Sequence, residues 1–205
     1  MHPDHSGAPA AKTALRDQLV TARRRRDVAE LARAAEGLAD HLLAAEEVRR
    51  AATVTAYVAV GSEPGTGLLL DRLLAAGKRV LLPVTTRELD LDWAAYEGPD
   101  SLAPARFGLL EPATPHLGLD AVAQADVLLV PGMAVSAAGV RMGKGGGCYD
   151  KALARVPADR WRCVLLFDDE VGRDVPAETH DETVHAVATP SGVTRLRTPE
   201  GPARG

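Results

Sequence analysis

The densest cluster of residues able to do chemistry is the segment Gly139-Val-Arg-Met-Gly-Lys-Gly-Gly-Gly-Cys-Tyr-Asp150. Gly139, Gly143, Gly145, Gly146 and Gly147 remove Cβ atoms where backbone must approach a ligand closely or take up positive φ. Successive N–H groups in such a stretch form an anion-binding nest, and a helix starting just beyond it would add its positive end. Arg141 and Lys144 supply cations suited to phosphate. A flexible glycine turn is the alternative reading of the same composition. Neither common nucleotide loop fits: no G-x-x-x-x-G-K-[ST] can be read, and in the G-x-G-x-x-G register Cys148 takes the place of the last glycine.

Other candidate groups are scattered along the chain. Lys12 and Arg16 are spaced i, i+4, so one helix face would present both; an ordinary surface pair is the alternative. The run Arg23-Arg24-Arg25-Arg26 is flanked by Asp17, Asp27 and Glu30 and reads as a solvated helix face. With 24 basic and 28 acidic residues and a net charge of -4, the chain has no general field for nucleic acid. Cys148 and Cys163 have neither metal-type spacing nor the number for a disulfide framework. No apolar run reaches the ~18 residues of a membrane span. The first residues lack the apolar stretch of a secretory signal, so a cytoplasmic location is expected.

The elements that must position these groups follow from periodicity. Apolar residues make up 46% of the 205-residue chain and aromatics only 3%, so Ala, Leu and Val must build the core. Residues 1–10 read as a disordered tail, 11–196 as one α/β domain and 197–205 as a flexible tail. Between Lys12 and Arg50 the leucine spacing predicts two helices, or one broken near Gly37. Thr53–Val60 reads as a buried strand, Leu68–Ala76 as a helix stopped by Gly77, and Arg79–Pro83 as the next strand. That unit implies a parallel crossover. Leu89–Tyr96 alternates like a half-exposed strand, and a proline-rich stretch follows. Asp126–Pro131 is short and apolar, as fully buried strands are. A helix over Tyr149–Val156 and strands at Arg162–Phe167 and Thr183–Ala188 complete a mostly parallel sheet. Ligands in such sheets gather at the carboxyl ends of strands, and the glycine segment lies just after one.

Taken in order, several segments resemble the 5-formyltetrahydrofolate cyclo-ligase (5,10-methenyltetrahydrofolate synthetase) family. Asp126-Val-Leu-Leu-Val-Pro-Gly132 followed by Gly139–Lys151 is similar to its D-x-x-x-x-P-G strand and G-x-R-L-G-[RK]-G-x-G-Y-Y-D-R segment. Lys12-Thr-Ala-Leu-Arg16, Ser62-Glu-Pro-Gly-Thr66, Gly108-Leu-Leu-Glu-Pro112 and Val175-Pro-Ala-Glu-Thr-His-Asp181 resemble four further motifs, over roughly residues 12–190. The resemblance implies a three-layer NagB/RpiA/CoA-transferase-like domain, with helices flanking the sheet. It also implies conversion of 5-formyltetrahydrofolate, polyglutamylated or not, to 5,10-methenyltetrahydrofolate, consuming ATP with Mg²⁺ and releasing ADP and phosphate. The formyl oxygen would be phosphorylated before N10 closes the ring. A monomer acting without nucleic acid or membrane is expected.

Residue by residue, the resemblance implies that Arg141 and Lys144 act on the transferred phosphate. Lys12, Arg16 and the stretch Arg141, Met142, Gly143, Lys144, Gly145, Gly146, Gly147, Cys148 and Tyr149 would hold ATP. Val58, Glu63 and Trp93, with Lys144 to Tyr149, would meet the folate; core packing is the alternative for Trp93. Asp150 and Asp181 would carry Mg²⁺, against a helix-start carboxylate and an exposed turn as their alternatives. Glu111 is left without an assigned role. Three positions depart from the family pattern: Cys148 for the first tyrosine of Y-Y-D, Met142 for leucine, and His185 where an acid is commoner. Another ATP- or phosphate-using enzyme on a related sheet, or a non-catalytic binding member, are the competing functions.

Overall fold

The structure, a computed structural model, describes residues 8–178 and 181–197. Of the expected tails, residues 1–7 and 198–205 lie outside the described residues, as do Thr179 and His180. Two long helices open the chain, α1 (Ala8–Arg24) and α2 (Val28–Ala44). The break between them falls at residues 25–27 and not near Gly37, because Asp27 caps α2: its carboxylate accepts the Glu30 N–H at 2.7 Å. Gly37 stays inside α2, where its missing side chain makes room for another segment. A Cβ there would stand 2.5 Å from the Pro190 carbonyl oxygen.

A short helix α3 (Glu46–Arg50) leads into β1 (Thr53–Thr55), then α4 (Gly67–Ala75), β2 (Arg79–Thr85) and β3 (Leu91–Ala95). A hairpin of β4 (Leu102–Pro104) and β5 (Leu110–Pro112) precedes β6 (Val127–Pro131). The pair β7 (Ala134–Val135) and β8 (Arg141–Met142) presents the glycine loop, which runs into α5 (Cys148–Ala154). The chain closes with β9 (Trp161–Leu165), β10 (Ala186–Thr189) and β11 (Gly192–Arg195).

Seven strands form one sheet in the order β11-β10-β9-β6-β1-β2-β3. The pairs from β10 through to β2 are parallel, and the edge strands β11 and β3 are antiparallel. Alternation sends the side chains of each central strand to opposite faces. Val127 and Leu129 of β6 join the core under α2 and α4, whereas Leu128 and Val130 join the core on the α5 side. Both faces are therefore covered, as a parallel sheet requires. This is an α/β fold with a mostly parallel central sheet flanked by helices. Among the described residues no helix is long and apolar enough to cross a membrane.

Three expectations change here. β1 pairs only over Thr53–Thr55, and the rest of the expected strand runs on as irregular chain. The Thr66 hydroxyl holds that stretch, donating to the Tyr57 carbonyl at 2.6 Å and accepting the Ala59 N–H at 2.9 Å. The strand expected to be half exposed is mostly buried, since a 3₁₀ segment, Leu119–Gln124, packs against β3. Lastly, Arg23 is not on a solvated face. It is 2% exposed and forms a two-pronged ion pair with buried Glu170, Nε to Oε1 at 2.6 Å and Nη2 to Oε2 at 2.8 Å. The same Nη2 donates to the Gly132 carbonyl at 2.7 Å, so α1 is tied to the chain leaving β6.

Candidate active site

Strand order reverses between β1 and β6: the chain from β1 goes on to β2, and the chain from β6 goes on to β9. Loops leaving the carboxyl ends of two such neighbours diverge and leave a crevice, the usual ligand site of an open α/β sheet. A cleft of about 490 Å³ lies there. Its walls come from α1, the segment after β1, the β5 hairpin, the glycine loop with the start of α5, and the stretch around Glu178 and Asp181.

The glycine loop is shaped from within. Gly145 and Gly147 have φ of +102° and +66°, a region open to glycine at little cost. Arg141 is 3% exposed and uses its guanidinium inside the protein. Nη1 donates to the Pro131 carbonyl at 3.1 Å and Nη2 to Asp150 Oδ1 at 2.8 Å. A side chain at Gly143 would put its Cβ 2.8 Å from Arg141 Nη1, so Arg141 occupies the space under the loop. The expected direct phosphate contact by Arg141 is therefore not its evident use, because two of its nitrogens already serve the Pro131 carbonyl and Asp150. The helix after the loop, α5, is only seven residues long.

The remaining cations reach the cleft from separate elements. Lys144 is 60% exposed along its side chain and pairs at 2.7 Å with Glu63 Oε1. The Glu63 side chain is 8% exposed, and its Oε2 accepts the Val60 N–H at 2.8 Å, which fixes the carboxylate at the cleft wall. Arg16 donates through Nε to the Gly143 carbonyl at 3.2 Å, bringing α1 against the loop. Lys12 lies 2.5 Å from Glu178 Oε2 and 2.9 Å from Asp181 Oδ2. Burial works against its ammonium, but these two carboxylates outweigh it and hold the pKa above the ordinary lysine value.

Two phenols line the cleft beside Glu63. Tyr57 and Tyr149 are pushed well above the ordinary tyrosine range, chiefly by burial and further by the Glu63 charge. Both are therefore neutral hydrogen-bond donors at physiological pH. Neither hydroxyl has a hydrogen-bond partner among the described residues.

Every expected site residue except one lines this cleft: Lys12, Arg16, Val58, Glu63, the stretch from Arg141 through Asp150, and Asp181. The exception is Trp93, 1% exposed in the core on the α5 side, where the 3₁₀ segment covers it. Core packing, the alternative weighed for it, is what the fold uses. Glu111 gains a role, since its Oε1 accepts the Thr85 N–H at 2.9 Å and clips the β5 hairpin to β2. Tyr57, Thr13 and Glu178 line the cleft without having been given a site role. Glu178 could have been found in the motif that ends at Asp181, and Tyr57 from its place beside Val58. His185 accepts the Arg162 N–H at 3.1 Å and lines no part of the cleft. Among the described residues, no three His, Cys, Asp or Glu side chains form a metal-type cluster.

The pattern of the 5-formyltetrahydrofolate cyclo-ligase family matches residues 8–190. The chain is 42% identical over 198 residues to the 5-formyltetrahydrofolate cyclo-ligase of Mycolicibacterium smegmatis, covering 93% of this chain and all of that one. It is 31% identical over 144 residues to the Escherichia coli enzyme of the same name, covering 69% of this chain and 79% of that one. The fold superposes on Aquifex aeolicus 5,10-methenyltetrahydrofolate synthetase with a TM-score of 0.79 at 24% identity, covering 94% and 96% of the two chains. With the motifs in order, the cleft at the strand reversal and a match over nearly its whole length, this chain belongs to the 5-formyltetrahydrofolate cyclo-ligase family.

Proposed function

We propose that the protein converts 5-formyltetrahydrofolate to 5,10-methenyltetrahydrofolate, consuming ATP with release of ADP and phosphate. The observation that carries this reading is the gathering of Lys12, Arg16, Lys144, the glycine loop and Glu63 around one cleft. A phosphate-binding wall there faces a carboxylate suited to a heterocycle's N–H groups.

The chemistry asks the protein for position and charge neutralisation more than for covalent participation. The formyl oxygen attacks the γ-phosphorus, the bond to the β-phosphate oxygen breaks, and ADP leaves. The product is an N5 iminium carrying a phosphate on carbon. N10 then attacks that carbon and loses its proton, and the C–O bond to phosphate breaks as the five-membered ring becomes an amidinium. Lys144 and Arg16 would hold the transferring phosphoryl group, with the Gly143 to Gly147 backbone donating N–H groups to phosphate oxygens. Lys12 would hold the nucleotide from the α1 side. Glu63 would orient the pterin, its two oxygens retaining lone pairs beyond the contacts to Lys144 and Val60. Arg141 acts as the brace that sets the loop and Asp150.

The donor set fits a magnesium ion arriving with the nucleotide. Four cationic side chains line the cleft against five carboxylates, Glu63, Glu111, Asp150, Glu178 and Asp181, so the walls alone do not balance a polyanion. Mg²⁺ takes one or two carboxylates together with phosphate oxygens, and Asp150 and Asp181 would hold it. When bound, it would supply neutralisation of phosphate charge. We further take the protein to act in the cytoplasm as a monomer, on free or polyglutamylated substrate.

The test is direct. Purified protein with 5-formyltetrahydrofolate and Mg-ATP should develop the methenyl absorbance with one ADP formed per ring closed. ATP-independent product, or none, overturns the proposal.

A further inference from the structure

Tyr57 sits where the chain leaves β1, its backbone carbonyl held by the Thr66 hydroxyl at 2.6 Å and its ring packed in the core under α2 and α4. It is 4% exposed, yet it lines the cleft and its hydroxyl has no partner among the described residues. A buried hydroxyl without a partner carries a desolvation cost that phenylalanine at the same place would avoid. The ring explains the aromatic; nothing in the fold explains the oxygen. Tyr149, from the start of α5, lines the same cleft and carries a second unpartnered buried hydroxyl.

The surroundings say what chemistry these donors suit. Both phenols feel the Glu63 carboxylate, which lies with them at the cleft wall. Lys144 already meets the Glu63 charge at 2.7 Å, and Lys12 and Arg16 stand on the α1 side, so the group beside the phenols need carry no charge of its own. The group suited to two neutral O–H donors beside a carboxylate is a neutral carbonyl whose neighbouring N–H groups face that carboxylate. A cyclic amide of a heterocycle presents this pattern.

We propose that Tyr57 is a substrate-recognising residue, its hydroxyl donating with that of Tyr149 to the pterin ring carbonyl while Glu63 accepts the adjacent N–H. This assignment rests on the folate-cyclising reading and adds to it the residue that reads the ring's oxo group. Cys148, in place of a tyrosine, leaves Tyr149 as the loop's only phenol, and Tyr57 supplies the second from the segment after β1.

The variant Tyr57→Phe removes one oxygen and keeps the ring. Steady-state kinetics should show KM for 5-formyltetrahydrofolate rising about tenfold, because a substrate acceptor loses its donor in a buried site. KM for ATP should stay at the wild-type value and the melting temperature should not fall, since the hydroxyl contributes no bond to the fold and its removal lifts a desolvation cost. A folate analogue with a 4-amino group in place of the oxo group should bind the wild type and Tyr57→Phe equally by calorimetry. An unchanged KM for 5-formyltetrahydrofolate in an active Tyr57→Phe enzyme overturns the inference alone. Equal weakening of the 4-amino analogue overturns the carbonyl assignment. Absence of cyclising activity in the wild type overturns the functional reading, and this inference with it.

Discussion

Replacing Arg23 by alanine would leave the Glu170 carboxylate, 1% exposed, with the Phe167 N–H at 3.0 Å as its remaining donor among the described residues. Two charge-assisted hydrogen bonds of 2.6 and 2.8 Å would disappear, and the Gly132 carbonyl would lose its 2.7 Å donor. Breaking one side of a buried ion pair costs about 3–5 kcal/mol, because the surviving charge has neither solvent nor partner. For a chain of this size each kcal/mol moves the melting temperature by about 2–4 °C, so Arg23→Ala should melt roughly 10 °C below wild type. Urea unfolding should show the loss in the midpoint with an unchanged slope. The paired change to Arg23→Met with Glu170→Leu removes both charges and should recover at least half of that loss. The same helix carries Lys12 and Arg16, so Arg23→Ala should also raise KM for ATP more than KM for the folate. A cost below about 1 kcal/mol, the scale of an exposed pair, would refute the reasoning and return Arg23 to a solvated face.

Lys144→Ala should leave stability within about 0.5 kcal/mol, since its side chain is 60% exposed. Turnover should nevertheless fall by about 100-fold if the ammonium meets the transferring phosphoryl group; equal turnover would remove Lys144 from the mechanism. Gly37→Ala, ordinarily worth roughly 1 kcal/mol of added helix stability, should instead destabilise. The new Cβ would lie 2.5 Å from the Pro190 carbonyl oxygen, an overpacking penalty of about 1–3 kcal/mol that a melting curve resolves. Arg155 holds the Asp90 carboxyl below its ordinary value of 3.8 through bonds of 2.6 and 2.9 Å, against an opposing contribution from burial. A depressed pKa means that the unfolded chain takes up the proton first. The stabilisation is therefore complete above about pH 5 and lost as pH falls through the folded value. Asp90→Asn should flatten that limb of the stability profile, and an unchanged acid limb would show that the pair contributes nothing.

The glycine loop was legible because its requirements are local. Positive φ at Gly145 and Gly147 and close packing of Gly143 over Arg141 are demands that glycine meets at least cost, so the chemistry shows in residue type. The order of strands and helices was legible for a similar reason, through apolar runs bounded by Gly and Pro. What stayed hidden depends on partners far along the chain. Arg23 reads as one of four solvated arginines because Glu170, which buries it, lies 147 residues away. Trp93 lies on an alternating strand, and alternation does not reveal that a 3₁₀ segment covers the supposedly open face. Arg141 shows a cation suited to phosphate, but not that Pro131 and Asp150 already claim its donors.

The same distinction accounts for the electrostatics of the cleft. The sequence shows the cations Lys12, Arg16, Arg141 and Lys144; only the fold shows how they are matched. Lys12 meets Glu178 and Asp181, Arg141 meets Asp150, and Lys144 meets Glu63. Arg16 alone among them has no carboxylate partner among the described residues, and it rests on the Gly143 carbonyl. Unpaired cations in a half-buried cleft would repel one another and weaken the fold, so compensation by carboxylates lets them be held together without ligand. Under the proposed function, phosphate oxygens then compete with carboxylates already in place. Such competition favours a nucleotide carrying its own counter-ion, since released carboxylates need a cation as much as phosphates do. Arg16, whose side chain gives up no carboxylate on binding, is on this argument the cation most readily turned to an incoming phosphate.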